Sequence, residues 1–116
     1  MKPLTVEELT QKIDGRLCAG QGAAQREVHS GCVCDLLSWV MVHAQKGTAW
    51  VTVQTHMNVV AVAELLEIAC VIFPDGMEAD AAVLNKADET GMPVVSSPKN
   101  AFDIAGIIHA AGVRGV

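Results

Sequence analysis

His56 stands in the run Gln54-Thr55-His56-Met57-Asn58, between a segment that alternates like a strand and one patterned like a helix. An imidazole in such a turn can hydrogen-bond a phosphate or move a proton near neutral pH. A catalytic His56 needs a carboxylate, and none lies close in sequence; Asp35 and Asp75 can supply one only if the fold gathers their turns. The plainer alternative gives Thr55 and Asn58 to capping a helix and leaves His56 in solvent or in a subunit contact. Two further corners carry polar chemistry. Pro74-Asp75-Gly76 reads first as a tight turn and second as part of a ligand rim. Ser96-Ser97, just before Pro98, places hydroxyls where a helix starts, a position that suits anions but serves more often as a cap. Cys32-x-Cys34 puts two thiols on one face of a strand, with His29 or His56 as a conceivable third metal ligand. Metal knuckles use a two-residue spacer in a turn and a second Cys pair, so buried packing is the expectation and no metal is assigned. No Gly-x-Gly-x-x-Gly or Gly-Lys-Ser/Thr loop occurs, which argues against dedicated ATP hydrolysis, and no cofactor is expected.

The elements that must position these residues follow from hydrophobic period. Thr5 before Val6-Glu7-Glu8-Leu9 predicts a capped helix with two carboxylates at its positive end, closing by Gly15. Leu17-Cys18-Ala19 predicts a short strand before the loop Gly20-Gln21-Gly22. Residues Val28 to Cys34 read as one strand with a glycine inside it. From Asp35, taken as N-cap, to residue 46 the pattern predicts a helix whose stripe is Leu36, Leu37, Val40, Met41 and Ala44, with Gly47 as its stop. Trp39 and Val42 fall outside that stripe. A second apolar patch on one helix points to a partner subunit, so a homodimer is expected.

The next strand is predicted over residues 49 to 53, followed by a helix capped by Asn58 and running to Ile68, exposed only on its Val60, Glu64 and Glu67 side. Residues 69 to 73 are continuously apolar, as in a strand covered on both faces. Residues 79 to 90 predict a helix ended by Gly91, and Pro93-Val94-Val95 the last strand. Ser97-Pro98 is expected to open a final helix with Ala101, Ile104, Ala105, Ile107, Ile108 and Ala111 inward. This strand, turn and helix rhythm implies an α/β fold: a single domain over residues 1–116 with a mainly parallel sheet built from βαβ units and flanked by helices. Ligand sites in such sheets lie beyond the carboxyl ends of the strands. The candidate ligand residues are therefore Asp35, Thr55, His56, Asn58, Asp75, Gly76, Ser96 and Ser97.

Composition removes several classes. The chain has 116 residues, 51% of them hydrophobic, enough for one small core. Eight Lys and Arg against thirteen Asp and Glu give a net charge of -5, the wrong sign for neutralising nucleic-acid phosphates. Two Trp, two Phe and no Tyr supply no stacking platform for single strands. The start MKPLTVEELTQKI has no continuous apolar core of a signal peptide, and the apolar span from Val59 to Phe73 carries Glu64 and Glu67 and is shorter than the roughly 20 residues that cross a bilayer. A cytoplasmic protein with reduced cysteines, bound to neither membrane nor nucleic acid, is expected.

With the turns identified, residues 47–108 resemble the DRTGG domain, an accessory module of some phosphotransacetylases and CBS-domain proteins that is related in fold to the N-terminal domain of HPr kinase. The resemblance rests on Gln54-Thr55-His56-Met57-Asn58 at the first turn, Pro74-Asp75-Gly76 at the second and Gly91-Met92-Pro93-Val94-Val95 at the third. Asp35-Leu36-Leu37-Ser38-Trp39 is similar to the small stand-alone version of that domain. Two departures stand out: His56 replaces the basic Arg of the first turn, and the double glycine is reduced to Gly76. The resemblance implies a regulatory or scaffolding role attached to acetyl-phosphate, nucleotide or redox systems. The expected function is a non-enzymatic regulatory or interaction domain that senses a small anionic ligand, a nucleotide or acyl phosphate, at the strand ends. The alternatives are a small phosphoryl- or acyl-transfer enzyme using His56 with Asp35 or Asp75, and a metal or redox module using Cys32 and Cys34.

Overall fold

A computed structural model describes residues 3–116. Its elements in chain order are β1 (Leu4–Thr5), α1 (Val6–Lys12), β2 (Arg16–Ala19), a 3-10 turn (Gln21–Ala23), β3 (Glu27–Val28), β4 (Ser30–Val33), α2 (Leu37–His43), β5 (Thr48–Val51), α3 (Met57–Leu65), β6 (Cys70–Phe73), α4 (Ala81–Thr90), β7 (Val94–Ser96), α5 (Ala101–Ala110) and β8 (Arg114–Gly115). The six-stranded sheet has the order β2-β7-β6-β5-β4-β8. Strands β4, β5, β6 and β7 are consecutive and parallel, β8 is parallel to β4, and β2 is antiparallel to β7. The mainly parallel α/β architecture expected from the strand and helix rhythm is the one observed.

The period of two along each strand sorts side chains between two cores. Cys32, Trp50, Val71, Phe73 and Val94 pack with α2, α3 and α4 on one face. Ala49, Val51, Cys70, Ile72 and Val95 pack with α1 and α5 on the other. Strand β6 is buried along its whole length, as the unbroken apolar run from residue 69 predicts, and β5, whose segment reads as alternating, is fully buried as well. The Cys70 thiol, enclosed there, is pushed up to about 12 by burial. Thr5 makes the expected cap, reinforced by a capping box in which the Glu8 carboxylate accepts from the Thr5 N–H at 3.0 Å. Gly91, at φ +72°, ends α4 in the left-handed conformation, also as expected.

Several local expectations are corrected. The single strand over residues 28 to 34 is two strands. The His29 N–H turns aside to the Gly47 carbonyl at 2.9 Å, so β3 pairs with β1 in a separate two-stranded ribbon and only β4 joins the main sheet. Asp35 is not the N-cap of α2; Leu36 is, with no side-chain cap bond, because the Asp35 carboxylate is drawn to the next loop. Helix α2 ends at His43, so residues 44 to 46 are not helical, and two members of its predicted stripe, Leu36 and Met41, are exposed. Trp39 and Val42 face solvent as well, Val42 with 77% of its surface accessible.

His56, not Asn58, caps α3, which closes at Leu65 rather than Ile68; Val60 is fully buried and Leu65 is exposed, the reverse of the predicted polar side for Val60. Helix α4 begins two residues later than expected because Asp80 caps it, its Oδ1 accepting from Val83 N–H at 3.1 Å. Asn100 caps α5 in place of Ser97, and Ala111 is exposed. Strand β7 is not the last: α5 crosses the opposite face of the sheet and delivers β8 to the far side of β4.

Candidate functional site

Parallel pairing in register puts the ends of β4, β5, β6 and β7 on one edge, and all eight predicted site residues follow or end these strands. That edge divides into two halves. In the β4–β5 half, Asp35 Oδ1 accepts from the Thr52 hydroxyl at 2.8 Å and from Val53 N–H at 3.0 Å. The Gln54 side-chain amide donates to the Asp35 carbonyl. The carboxylate therefore braces the loop that leads to His56, and it does so from an exposed position where charge-assisted bonds shape a backbone that strand pairing has released.

His56 starts α3 with Nδ1 accepting from Asn58 N–H at 3.2 Å. That acceptor role assigns the neutral ring's proton to Nε2, which has no protein partner among the described residues. Thr55 and Asn58 flank it, half-buried and exposed. Opposite this turn lies the start of α4. The two helix N-termini face one depression of about 590 Å³ lined by Gln54, Thr55, His56, Asn58, Asp80 and Val83 among others. Asp80 was not among the sequence candidates. Its signal was present, an Asp immediately before the Ala81-Ala82-Val83 helical run, but nothing local shows which neighbouring turn it will face.

In the β6–β7 half, Asp75 and Gly76 have φ of +59° and +68°, the paired left-handed geometry for which Asp-Gly is suited. Their N–H groups donate to the carbonyls of Lys99 and Ser97, each at 2.8 Å. The helices after β6 and β7 leave on opposite faces, the arrangement that ordinarily opens a ligand crevice between two strands; here these bonds zip the two loops together. The Ser96 hydroxyl donates to the Met77 carbonyl at 2.8 Å, and the Ser97 hydroxyl to the Ile13 carbonyl at 2.7 Å. Both serines are buried. Thr55, His56 and Asn58 are thus brought together with Asp80, while Asp35 stands behind them as a brace and Asp75, Gly76, Ser96 and Ser97 close the adjoining loops. Neither Asp35 nor Asp75 hydrogen-bonds to or pairs with His56.

Cys32 packs in the core, its thiol pushed up to about 11 by burial and by neighbouring Cys34. The Cys34 sulfur accepts from Leu36 N–H at 3.4 Å. Among the described residues no three His, Cys, Asp or Glu side chains gather as a ligand set for a metal, and no helix is long and apolar enough to cross a membrane.

Comparison with known proteins agrees with this architecture. A search of curated proteins finds no match. A crystal structure of the CBS and DRTGG domains of the regulatory region of Clostridium perfringens pyrophosphatase, complexed with its activator diadenosine tetraphosphate, superposes with a TM-score of 0.74 at 10% identity. The match covers 90% of this chain and 46% of that one, so the chain spans about half the length of this structural neighbour. The family model of the DRTGG domain matches residues 8–111, well beyond the segment around the three turns. By that match across almost its whole length, the chain belongs to the DRTGG domain family.

Proposed function

We propose that this domain is a non-enzymatic regulatory module that senses a nucleotide at the depression between the starts of α3 and α4. The observation that carries the reading is the convergence of two helix N-termini and the unpartnered Nε2–H of His56 on one opening of about 590 Å³, a volume within the range of small-molecule sites. The helix dipole and the His56 Nε2–H favour an anion at the α3 side, next to Thr55 and Asn58. Asp80, on the α4 side, repels a bare anion but accepts hydrogen bonds from a sugar hydroxyl. This polarity favours a nucleotide over an acyl phosphate. Asp35 holds the loop from behind, and Asp75, Gly76, Ser96 and Ser97 set the wall of the neighbouring half.

The test is thermal unfolding with nucleotides and with acetyl phosphate, on the native chain and on His56→Asn, which keeps a good N-cap acceptor but removes the imidazole. A nucleotide at a hundred times its Kd stabilises the native state by about 2.7 kcal/mol, a rise of several degrees for a domain of this size. The expected result is such a rise for the native chain and its loss in His56→Asn. No rise with any nucleotide, or an equal rise in the variant, overturns the proposal.

The second part of the reading is a homodimer through the outer side of α2. Leu36, Trp39 and Val42 are exposed there, and Trp39 stacks on His43 with ring centroids 3.9 Å apart. An apolar patch of this kind is covered in a working protein more often than it is left in water. Sedimentation at micromolar concentration is expected to give a dimer for the native chain and a folded monomer for Val42→Asp; a monomeric native chain refutes the α2 interface. A cytoplasmic setting agrees with four cysteines that are all free.

A further inference from the structure

Helix α5 turns Ile104 and Ile108 into the core beneath it, and its outer face carries Phe102, Asp103, Gly106, His109 and Ala110, all exposed. Phe102 has 87% of its surface in water, the largest exposure of any bulky apolar side chain among the described residues. Neither its ring nor that of His109 stacks on another ring of the described domain. Gly106 stands between them. A glycine in a helix interior weakens the helix, and the domain's own packing gives no reason for one here, since a Cβ at this position meets nothing within 4 Å. The room left by the missing side chain opens outward.

We propose that this stripe is the contact surface for a second copy of the chain, with the two α5 helices packed antiparallel and crossing at Gly106. An isologous contact needs a stripe that reads alike from either end. Phe102 and His109 stand four and three residues to either side of Gly106, and Asp103 and Ala110 three and four. A twofold axis beside Gly106 therefore lays each Phe102 ring against the partner's His109, in the manner of the Trp39–His43 stack within α2, and sets each Asp103 against the partner's Ala110. The glycine lets the two backbones approach closely at the axis. Charge agrees with the antiparallel direction: the positive start of each helix lies beside the negative end of the other, and the Asp103 carboxylate comes level with the partner's imidazole. Area sets the strength. A stable specific interface buries about 800 Å² on each partner, and a single helical stripe supplies only part of that, so the pairing is expected at a Kd of about 0.1 mM. Helices α5 and α2 cover opposite faces of the sheet, so this contact leaves the outer side of α2 free.

Sedimentation from about 10 µM to about 1 mM tests this in Val42→Asp, where the α2 contact is absent, so that the two contacts fail separately. The expected result is chiefly monomer at the low end and mostly dimer at the high end. Gly106→Gln, made in that background, is expected to raise Tm by a few degrees, because a good helix former replaces glycine at an exposed position, and to weaken association by at least about tenfold, because the added side chain holds the helices apart. A gain in stability together with a loss of association separates a contact between copies from a folding defect. Phe102→Ser is expected to weaken association by a similar factor with the circular dichroism spectrum unchanged. Two results overturn the proposal: Val42→Asp remaining a monomer at about 1 mM, which leaves the stripe to a partner of another kind, or Gly106→Gln associating as tightly as its parent.

Discussion

Gly20→Ala is expected to lower the unfolding free energy by about 2 to 5 kcal/mol, summing a left-handed backbone cost of about 1 to 2 with an overpacking cost of about 1 to 3. Gly20 has φ +72°, and a Cβ built on it lies 2.4 Å from both C and O of Met92 and 2.5 Å from the Pro93 nitrogen. Those are backbone atoms of the segment entering β7, so no rotamer change relieves the clash. The Gly20 N–H also donates to Asp88 Oδ1 at 2.9 Å, which ties the loop after β2 to α4 and resists a shift of the chain away from Met92. Gly22, two residues on, is the internal control: a Cβ there meets nothing within 4 Å. Gly22→Ala is expected to be neutral or slightly stabilising, since it only restricts the unfolded chain. Urea unfolding at constant m compares the two. A Gly20→Ala loss no larger than that of Gly22→Ala contradicts the close approach of β2 and the β7 entry.

Trp50→Ala is expected to cost about 3 to 5 kcal/mol, the range for truncating a buried aromatic side chain. Trp50 is fully buried at the centre of the sheet, on the face covered by α2, α3 and α4. Its Nε1–H donates to the Cys34 carbonyl at 2.8 Å, holding the chain where β4 gives way to the α2 approach. Domains of this size are stable by only about 5 to 15 kcal/mol, so the variant sits near the edge of folding. Trp50→Phe keeps most of the apolar volume but leaves the Cys34 carbonyl unpaired, and about 1 to 3 kcal/mol is expected for that loss. Helix α2 has seven residues and no side-chain cap, so its amides are expected to lose hydrogen-exchange protection before those of α3. Equal protection of the two helices in Trp50→Phe argues against this role of the indole.

The candidate site shows where local reading reaches and where it stops. Thr55, His56 and Asn58 were legible because a polar run between a period-two and a period-3.6 segment marks a strand end, and parallel connections put such ends on one edge. The choice of His56 over Asn58 as the cap was not legible. Both side chains can accept from a nearby N–H, and the selection depends on how the Asp35 carboxylate, attached to the preceding strand, holds residues 52 and 53. The same displacement explains α2: once Asp35 is spent on that loop, Leu36 is left as the cap. Ser97 reads as a cap in sequence, yet its hydroxyl reaches the Ile13 carbonyl, a contact between residues 84 apart.

Local periodicity and turn chemistry, taken alone, determined the α/β class, the run of parallel strands from β4 to β7, the Thr5 cap, the stop at Gly91 and the family resemblance. Each of these is decided within a few residues, by backbone propensity and by the alternation of apolar and polar side chains. Only the tertiary structure decided that His29 splits a strand, that β8 returns beside β4, that the loops after β6 and β7 zip shut, and that Asp80 faces His56 while Arg16 meets Glu78. These outcomes turn on which distant groups satisfy one another's hydrogen bonds and charges once the sheet order is set. A buried polar group takes the partner that the whole fold brings within reach, not the one nearest in the chain.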